Sequence, residues 1–411
     1  MSKAQCRFCD TPLKYTFLDL GSSPLCESFL TADQVGQMES FYPLQVHVCT
    51  HCFLVQLEEF VQPESIFSEY AYFSSYSDTW LDHSRKYVQH AIETFSLDNR
   101  NFVVEIASND GYLLQYFIEE GIPVLGIEPA ANVAEVAKDK GVSTIVEFFN
   151  EELASQLVKD GYQADLLIGN NILAQVPDLN GFVSGMNVIL KADGVFTLEF
   201  PHLVRLIEGN QFDTIYHEHF SYFSFTTVEK ILTFHGFKVF DVDELSTHGG
   251  SLRIYGCHIE NSTYPVSMQV GDLRAREEAD GLNELAYYDS FAEKVRETKR
   301  ALLEFLIEVK RSGRTIAGYG APGKGNTLLN YCGIRTDFLD FTVDRNPYKH
   351  GKFTPGTHIP IFPPDFVNEK KPDYLLILPW NLKNEIMAQM AHIREWGGCF
   401  VVPIPEVQVY P

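Results

Sequence analysis

Apolar residues fall along the chain in two rhythms. Short uninterrupted runs at Phe102–Ala107, Pro123–Glu128, Thr144–Glu147, Leu166–Asn170 and Gly194–Phe200 alternate with helically spaced stretches. Such alternation predicts a parallel sheet covered by helices between residues 66 and 270. The rhythm resumes at Arg314–Gly320 and continues through Phe341–Asp344 and Tyr374–Leu378, which predicts a second, smaller α/β unit over 311–411. Between the two, Leu273–Val309 is rich in Ala, Glu, Leu, Lys and Arg, with Gly281 as its only glycine. It reads as one or two long helices in a connector spanning 271–310. Residues 1–65 mix short strands and loops and have few apolar runs. The expected architecture is therefore α/β: a small head, a Rossmann-like middle unit, a helical connector and a smaller Rossmann-like C-terminal unit.

Composition narrows the function. The chain has 411 residues, 45% of them hydrophobic, enough to fill more than one core. A formal charge of −23 without a basic cluster opposes nucleic-acid binding. No signal-like start and no apolar stretch of bilayer length are present, so a cytoplasmic location without membrane insertion is expected. In that setting the eight cysteines argue for metal rather than disulfides. Four of them form two Cys-x-x-Cys pairs, Cys6/Cys9 and Cys49/Cys52, inside the head. Two such knuckles complete a closed four-sulfur zinc site, which is a structural role. Cys26, Cys257, Cys332 and Cys399 have no partner at short spacing and read as ordinary thiols.

In a Rossmann-like sheet the turn after the first strand approaches the cofactor, and an acid ending the second strand takes the ribose hydroxyls. Glu105-Ile106-Ala107-Ser108-Asn109-Asp110-Gly111 and Glu128 fit that plan. The turn lacks the Gly-x-Gly-x-x-Gly that brings pyrophosphate onto backbone amides, which favours the phosphate-free S-adenosylmethionine over NAD. Asn170 and Asn171 then lie at the end of the fourth strand, near cofactor and substrate. The C-terminal unit does carry Gly318-x-Gly320-x-x-Gly323, with Asp344 about twenty residues on, which taken alone predicts a dinucleotide site. The same residues nearly spell a P-loop, but Gly325 replaces the Ser or Thr that would hold magnesium. Lys324 beside this turn suits the diphosphate of a nucleotide-linked substrate.

Tyr216-His217-Glu218-His219 puts a phenol, two imidazoles and a carboxylate in four consecutive residues. One imidazole can abstract a proton, Glu218 or a backbone group can orient it, and Tyr216 can donate to an oxygen that becomes charged. That suits carbanion chemistry beside a carbonyl. A metal on His217 and His219 lacks a clear third ligand.

Taken in order, these motifs resemble the three-domain sugar C-methyltransferases that act on nucleotide-linked 4-keto-deoxysugars. The resemblance covers essentially the whole chain. It rests on the paired Cys-x-x-Cys, Tyr70-x-Tyr72-x-Ser74-Ser75, the Glu105–Gly111 turn, Tyr216–Phe220, His248-Gly249-Gly250-Ser251-Leu252-Arg253, Gly318–Asn326, Val343–Pro347 and Trp380-Asn381. It implies S-adenosylmethionine in the middle unit, held by Glu105, Ala107, Asn109, Gly111, Glu128, Asn170 and Asn171. It implies a nucleotide sugar between that unit and the last one, near His248, Ser251, Arg253, Gly320, Lys324, Asn326, Asp344 and Arg345. His219 matches the general base, Tyr216 and Glu218 match residues near the substrate, and Tyr70, or else Tyr72, matches a pocket tyrosine. One position departs: the family usually has histidine where this chain has Gln175, whose amide can donate to an enolate oxygen but cannot carry charge or shuttle a proton. That departure points to an altered keto-sugar, or to epimerisation without effective methyl transfer. Two further readings stand beside these: an NAD-dependent oxidoreductase built on the Gly318 turn, and a non-enzymatic scaffold or sugar-nucleotide sensor.

Overall fold

The structure, a computed structural model, describes residues 4–67 and 73–411. Three sheets organise the chain. The central one has seven strands in the spatial order Phe237–Leu245, Ser251–His258, Leu190–Pro201, Ala164–Asn170, Val103–Ile106, Val124–Ile127 and Thr144–Ile145. Its last five strands are parallel, and the first two are joined antiparallel. Val103–Ile106 is buried at every position, as expected for a strand covered by helices on both faces. The antiparallel pair was not read from sequence. Its outer strand, Phe237–Leu245, is only half-buried, so it lacks the continuous apolar run that marks the interior strands.

The C-terminal sheet repeats the plan. Its order is Ile361–Phe362, Thr342–Val343, Ile316–Tyr319, Tyr374–Ile377, Cys399–Val402 and Gln408–Tyr410, parallel except for the last strand. In both sheets the first strand of the parallel set lies inside, with the second strand on one side and a later strand on the other. The chain therefore reverses direction of travel at the carboxyl ends of Val103–Ile106 and Ile316–Tyr319, where ligands bind in such sheets.

The head strands Tyr15–Ser23, Tyr42–Val48 and Val55–Leu57 form an antiparallel sheet whose fourth strand, Ser221–Tyr222, comes from the middle of the chain. Cys6, Cys49 and Cys52 share a core with Val104, Leu167, Phe196, Phe223 and Phe225. A second core joins Phe17, Leu44 and Val46 of the head with Leu328 of the helix Gly323–Cys332 and with Val343 and Leu376 of the C-terminal sheet.

The helix Asp78–Phe95 starts at Ser77, whose hydroxyl accepts from the Trp80 N–H (3.3 Å), and buries Trp80, Ser84, Tyr87, Val88 and Ala91 at helical spacing. The connector is Met268–Ala279, a short turn at Ala286–Asp289 and the 21-residue Phe291–Arg311, with the break at Gly281 (φ +85°). Among the described residues no helix is long and apolar enough to cross a membrane.

Candidate active site

A cavity of about 930 Å³ opens where the carboxyl ends of the two parallel sheets face each other. The cofactor side is built around the turn after Val103–Ile106. Ala107, Asn109 and Gly111 all take left-handed backbone (φ +57°, +49° and +73°), so the turn coils tightly over the strand end. Gly126 makes room for it, because a Cβ there would lie 2.4 Å from Ser108 Oγ. Gly111 lies behind the cavity wall, where a Cβ would meet Val142 Cγ2 at 2.9 Å.

Glu128 braces this turn. Its Oε2 accepts from the Asn109 N–H (3.0 Å) and its Oε1 from the Ala130 N–H (2.9 Å), and the carboxylate borders the cavity. Burial pushes its pKa up to about 7, against the pull of those two amides. Glu105 sits deeper, 1% exposed, and burial followed by the neighbouring Glu128 and Asp110 carboxylates drives it well above the carboxylate range. It does not border the cavity. Asn170 and Asn171 do, and each has a side-chain oxygen buried without a partner. These orphaned acceptors, with a ribose-type carboxylate and the aromatic faces of Tyr112 and Trp80, fit S-adenosylmethionine.

The C-terminal sheet uses the same brace. Asp344 Oδ2 accepts from the Ala321 N–H (2.7 Å) in the turn after Ile316–Tyr319, and Oδ1 accepts from the Asn346 N–H two residues on (2.8 Å). Gly320, at φ +87°, allows Pro379 within 2.6 Å of its Cβ position. Lys324 projects into the cavity, with Nζ 2.8 Å from Asn381 Oδ1 and 4.8 Å from the Trp380 ring centre. Trp380 donates to the fully buried Asp213 (2.7 Å), whose pKa burial raises to about 7 while Lys324 and the indole N–H oppose the rise. At the start of helix Gly323–Cys332 the Gly323 N–H is met by the buried carboxyl of Glu27, which also pairs with Lys349 at 3.3 Å. A dinucleotide pyrophosphate would meet a protein carboxylate there.

His219 lies between these halves. Its Nδ1 is 3.1 Å from the Thr214 carbonyl, so Nδ1–H donates and Nε2 is left as the acceptor nitrogen on the cavity. Burial lowers its pKa to about 4, partly countered by that hydrogen bond, with smaller contributions from His248 and Lys324. The ring packs on Tyr216 at 4.2 Å between centres. A backbone carbonyl is thus the orienting group, while Glu218 turns to accept from the Cys26 thiol (3.2 Å). His217 points away, with Nε2 3.1 Å from the Pro43 carbonyl, so the two histidines diverge. Gln175 faces the cavity from the short turn Leu173–Gln175.

Other residues singled out from sequence are spread around this centre. His248, in left-handed backbone (φ +54°), lies 3.1 Å from Asn171 Nδ2 and borders the cavity, its pKa lowered to about 4 by burial and then Lys324. Ser251 and Arg253 sit behind the wall. Ser251 donates to the Thr247 carbonyl (3.0 Å), and Arg253 pairs with the buried Glu199 and lies over Tyr87. Burial pushes Glu199 up, but His83, Arg253 and Thr247 outweigh it and bring its pKa down to about 2. Asn326 is also outside the cavity and donates to the Cys26 carbonyl (2.6 Å). Arg345 borders the cavity rim, 3.4 Å from Glu385. Tyr70 and Tyr72 lie outside the described residues. Sequence reasoning missed Trp80, His83, Thr247 and Glu27 on the cavity wall, and Cys26 behind it. Trp80 and His83, three apart at a helix start, were the available signal.

In the head the two knuckles have matching backbone patterns. The Asp10 N–H donates to the Cys6 carbonyl (2.9 Å) and the Phe53 N–H to the Cys49 carbonyl (3.0 Å), with both Asp10 and Phe53 left-handed. The four sulfurs lie within 4.8 Å of one another, Cys6–Cys52 at 3.5 Å and Cys9–Cys49 at 3.6 Å. Sulfurs around a tetrahedral zinc with bonds of about 2.3 Å stand at this spacing. Gln56 Nε2 and the His51 N–H point at Cys6 and Cys49 (3.2 and 3.4 Å), donors that suit thiolates. The set fits zinc.

Fold and site together define an S-adenosylmethionine-dependent methyltransferase with a zinc-binding head. Three family models match: a zinc binding domain over residues 6–67, a methyltransferase domain over 80–242 and a C-methyltransferase C-terminal domain over 246–405. C-methyltransferase NovU of Streptomyces niveus is 36% identical over 405 residues, 98% of this chain and 96% of that protein. The chain belongs to this C-methyltransferase family. Among solved structures, magnesium protoporphyrin IX methyltransferase (ChlM) from Synechocystis PCC 6803 with bound SAM covers 43% of this chain and 79% of its own, at 15% identity and a TM-score of 0.34. A methyltransferase from Clostridium acetobutylicum covers 43% and 92%, at 12% identity and a TM-score of 0.36.

Proposed function

We propose that the protein methylates a carbon beside the ketone of a nucleotide-linked 4-keto-deoxysugar. The observation that carries this reading is a buried, neutral His219 with Nε2 open to a cavity that both Rossmann-like turns also border. S-adenosylmethionine, when bound, supplies an electrophilic methyl group; Glu128, Asn109, Ala107, Asn170 and Asn171 would hold it. His219 removes the proton next to the ketone, and its Nδ1–H bond to Thr214 fixes the tautomer that makes this possible. Tyr216 and Gln175 donate to the enolate oxygen, and the Lys324 ammonium adds positive potential nearby. A donor so placed lowers such a barrier by roughly 3 kcal/mol. The nucleotide lies toward Asp344, Gly320 and Arg345, whose carboxylate brace mirrors that of Glu128.

Incubation with a nucleoside-diphosphate 4-keto-6-deoxysugar in deuterated water, with and without the methyl donor, tests the reading by mass spectrometry. Methyl gain supports it. Deuterium wash-in without methyl gain indicates epimerisation, and neither change sinks both.

A further inference from the structure

The first zinc knuckle reaches the cavity wall through one side chain. Arg7 directly follows the ligand Cys6, and its backbone N–H donates to Gln56 Oε1 (3.0 Å), whose own amide donates to Cys6 Sγ (3.2 Å). The guanidinium leaves the head. Nη1 donates to the Pro177 carbonyl (2.9 Å), Nη2 donates to the Leu57 carbonyl, and the central carbon lies 5.4 Å from the Phe220 ring centre. The Leu57 N–H in turn donates to the Phe220 carbonyl (3.0 Å), and the Phe220 N–H to the Ala174 carbonyl (2.7 Å). These contacts close a ring from Arg7 through Leu57 and Phe220 to the Ala174–Pro177 segment and back. Phe220 adjoins His219 and Ala174 adjoins Gln175, so the ring passes one peptide from each.

We propose that Arg7 is a positioning residue for the reaction, through which the zinc site sets the separation between the Gln175 turn and the His219 segment. Its planar fork holds two donors at a fixed separation toward two carbonyls of different segments, a geometry that a point-like ammonium does not reproduce. Pro177 lies on the cavity wall and Leu57 does not, while Arg7 itself is neither a zinc ligand nor a cavity residue. Arg7 therefore sits outside both the metal set and the cofactor pocket, yet ties one to the other.

The inference rests on the proposed roles of His219 and Gln175, but its test does not need the substrate. The full-length zinc-loaded protein and its Arg7→Met and Arg7→Lys variants are compared by hydrogen-exchange mass spectrometry, zinc analysis and calorimetry with S-adenosylhomocysteine. The expected result is retained zinc, S-adenosylhomocysteine affinity within about twofold, and exchange over 171–178 and 215–222 faster by about tenfold or more in Arg7→Met. Arg7→Lys should show a partial rescue confined to the same segments. Unchanged protection there overturns the proposal, as does zinc loss in step with the change, a uniform rise across the chain, or failure of both variants to fold. Deuterium wash-in into the keto-sugar by the unaltered enzyme decides the roles of His219 and Gln175 separately, so either inference can fail alone.

Discussion

His219 is able to serve as a base because its surroundings keep it uncharged. Replacing it with Gln keeps the approximate volume and a hydrogen bond to Thr214 but removes the base, so methyl transfer and deuterium wash-in should both fall by about 10²–10⁴. Affinity for S-adenosylhomocysteine, measured by calorimetry, should stay put. Burial also makes His219 a stability sensor. Its folded pKa of about 4 lies below the ordinary value of 6.5, so its contribution is complete above pH 6.5 and is lost as pH falls toward 4. Denaturant titrations of the wild-type protein should lose about 3 kcal/mol from this group across that window, and the Gln variant should lose correspondingly less. Glu128 shows the opposite sensitivity. With its carboxyl raised to about 7, roughly half the empty sites are protonated at neutral pH, whereas ribose hydroxyls need an acceptor. Cofactor binding should therefore release about half a proton at pH 7, visible as a dependence of calorimetric heat on buffer ionisation. Affinity should weaken below pH 7, and a buffer-independent heat would contradict the assigned role.

At the scale of elements, the site depends on two turns with left-handed glycines, Gly111 and Gly320, where an added side chain would be strained and crowded. Gly111→Ala forces a Cβ into left-handed backbone and against Val142 and Ala137, and should cost about 1–3 kcal/mol of stability with a loss of S-adenosylhomocysteine affinity. Circular dichroism melts and calorimetry on one sample check both. The parallel strands of the central sheet, three of those in the C-terminal sheet and both turns were legible as short apolar runs ending in polar turns, whereas Ile361–Phe362 and Cys399–Val402 were not read. Phe237–Leu245 and Gln408–Tyr410 were not, since an edge strand alternates or stays exposed and its identity comes from its neighbours. Residues that border the cavity from the turns, such as Asn109, Glu128 and Asp344, follow from their places at strand ends. Trp80, His83 and Glu27 do not, because their place on the cavity wall follows from how a helix and a head loop dock against sheets far away in sequence. For the same reason Ser251, Arg253 and Asn326, neighbours of cavity residues along the chain, face away from the cavity and hold its wall.

Across the whole molecule, the paired cysteines announced a zinc site, but nothing in their spacing said where it would dock. In the fold Cys6, Cys49 and Cys52 lie in the core of the central sheet, Phe8 packs on Phe234 at 5.6 Å, and Asn180 donates to the Arg7 and Phe8 carbonyls. Ser221–Tyr222 completes the head sheet immediately after the Tyr216–Phe220 segment. A head that takes a strand from the middle of the chain and shares a core with the central sheet cannot melt by itself without exposing apolar surface on both sides. Zinc bound only to the folded state should thus stabilise the entire molecule. Chelation should lower the midpoint of one shared thermal transition by about 10 °C, from a binding free energy on the order of 10 kcal/mol spread over the unfolding entropy of a chain this long. Differential scanning calorimetry with and without chelator distinguishes the possibilities. If a small early transition disappears while the main one keeps its midpoint, the head is an appendage, and the shared core does not transmit the metal's stabilisation to the cavity.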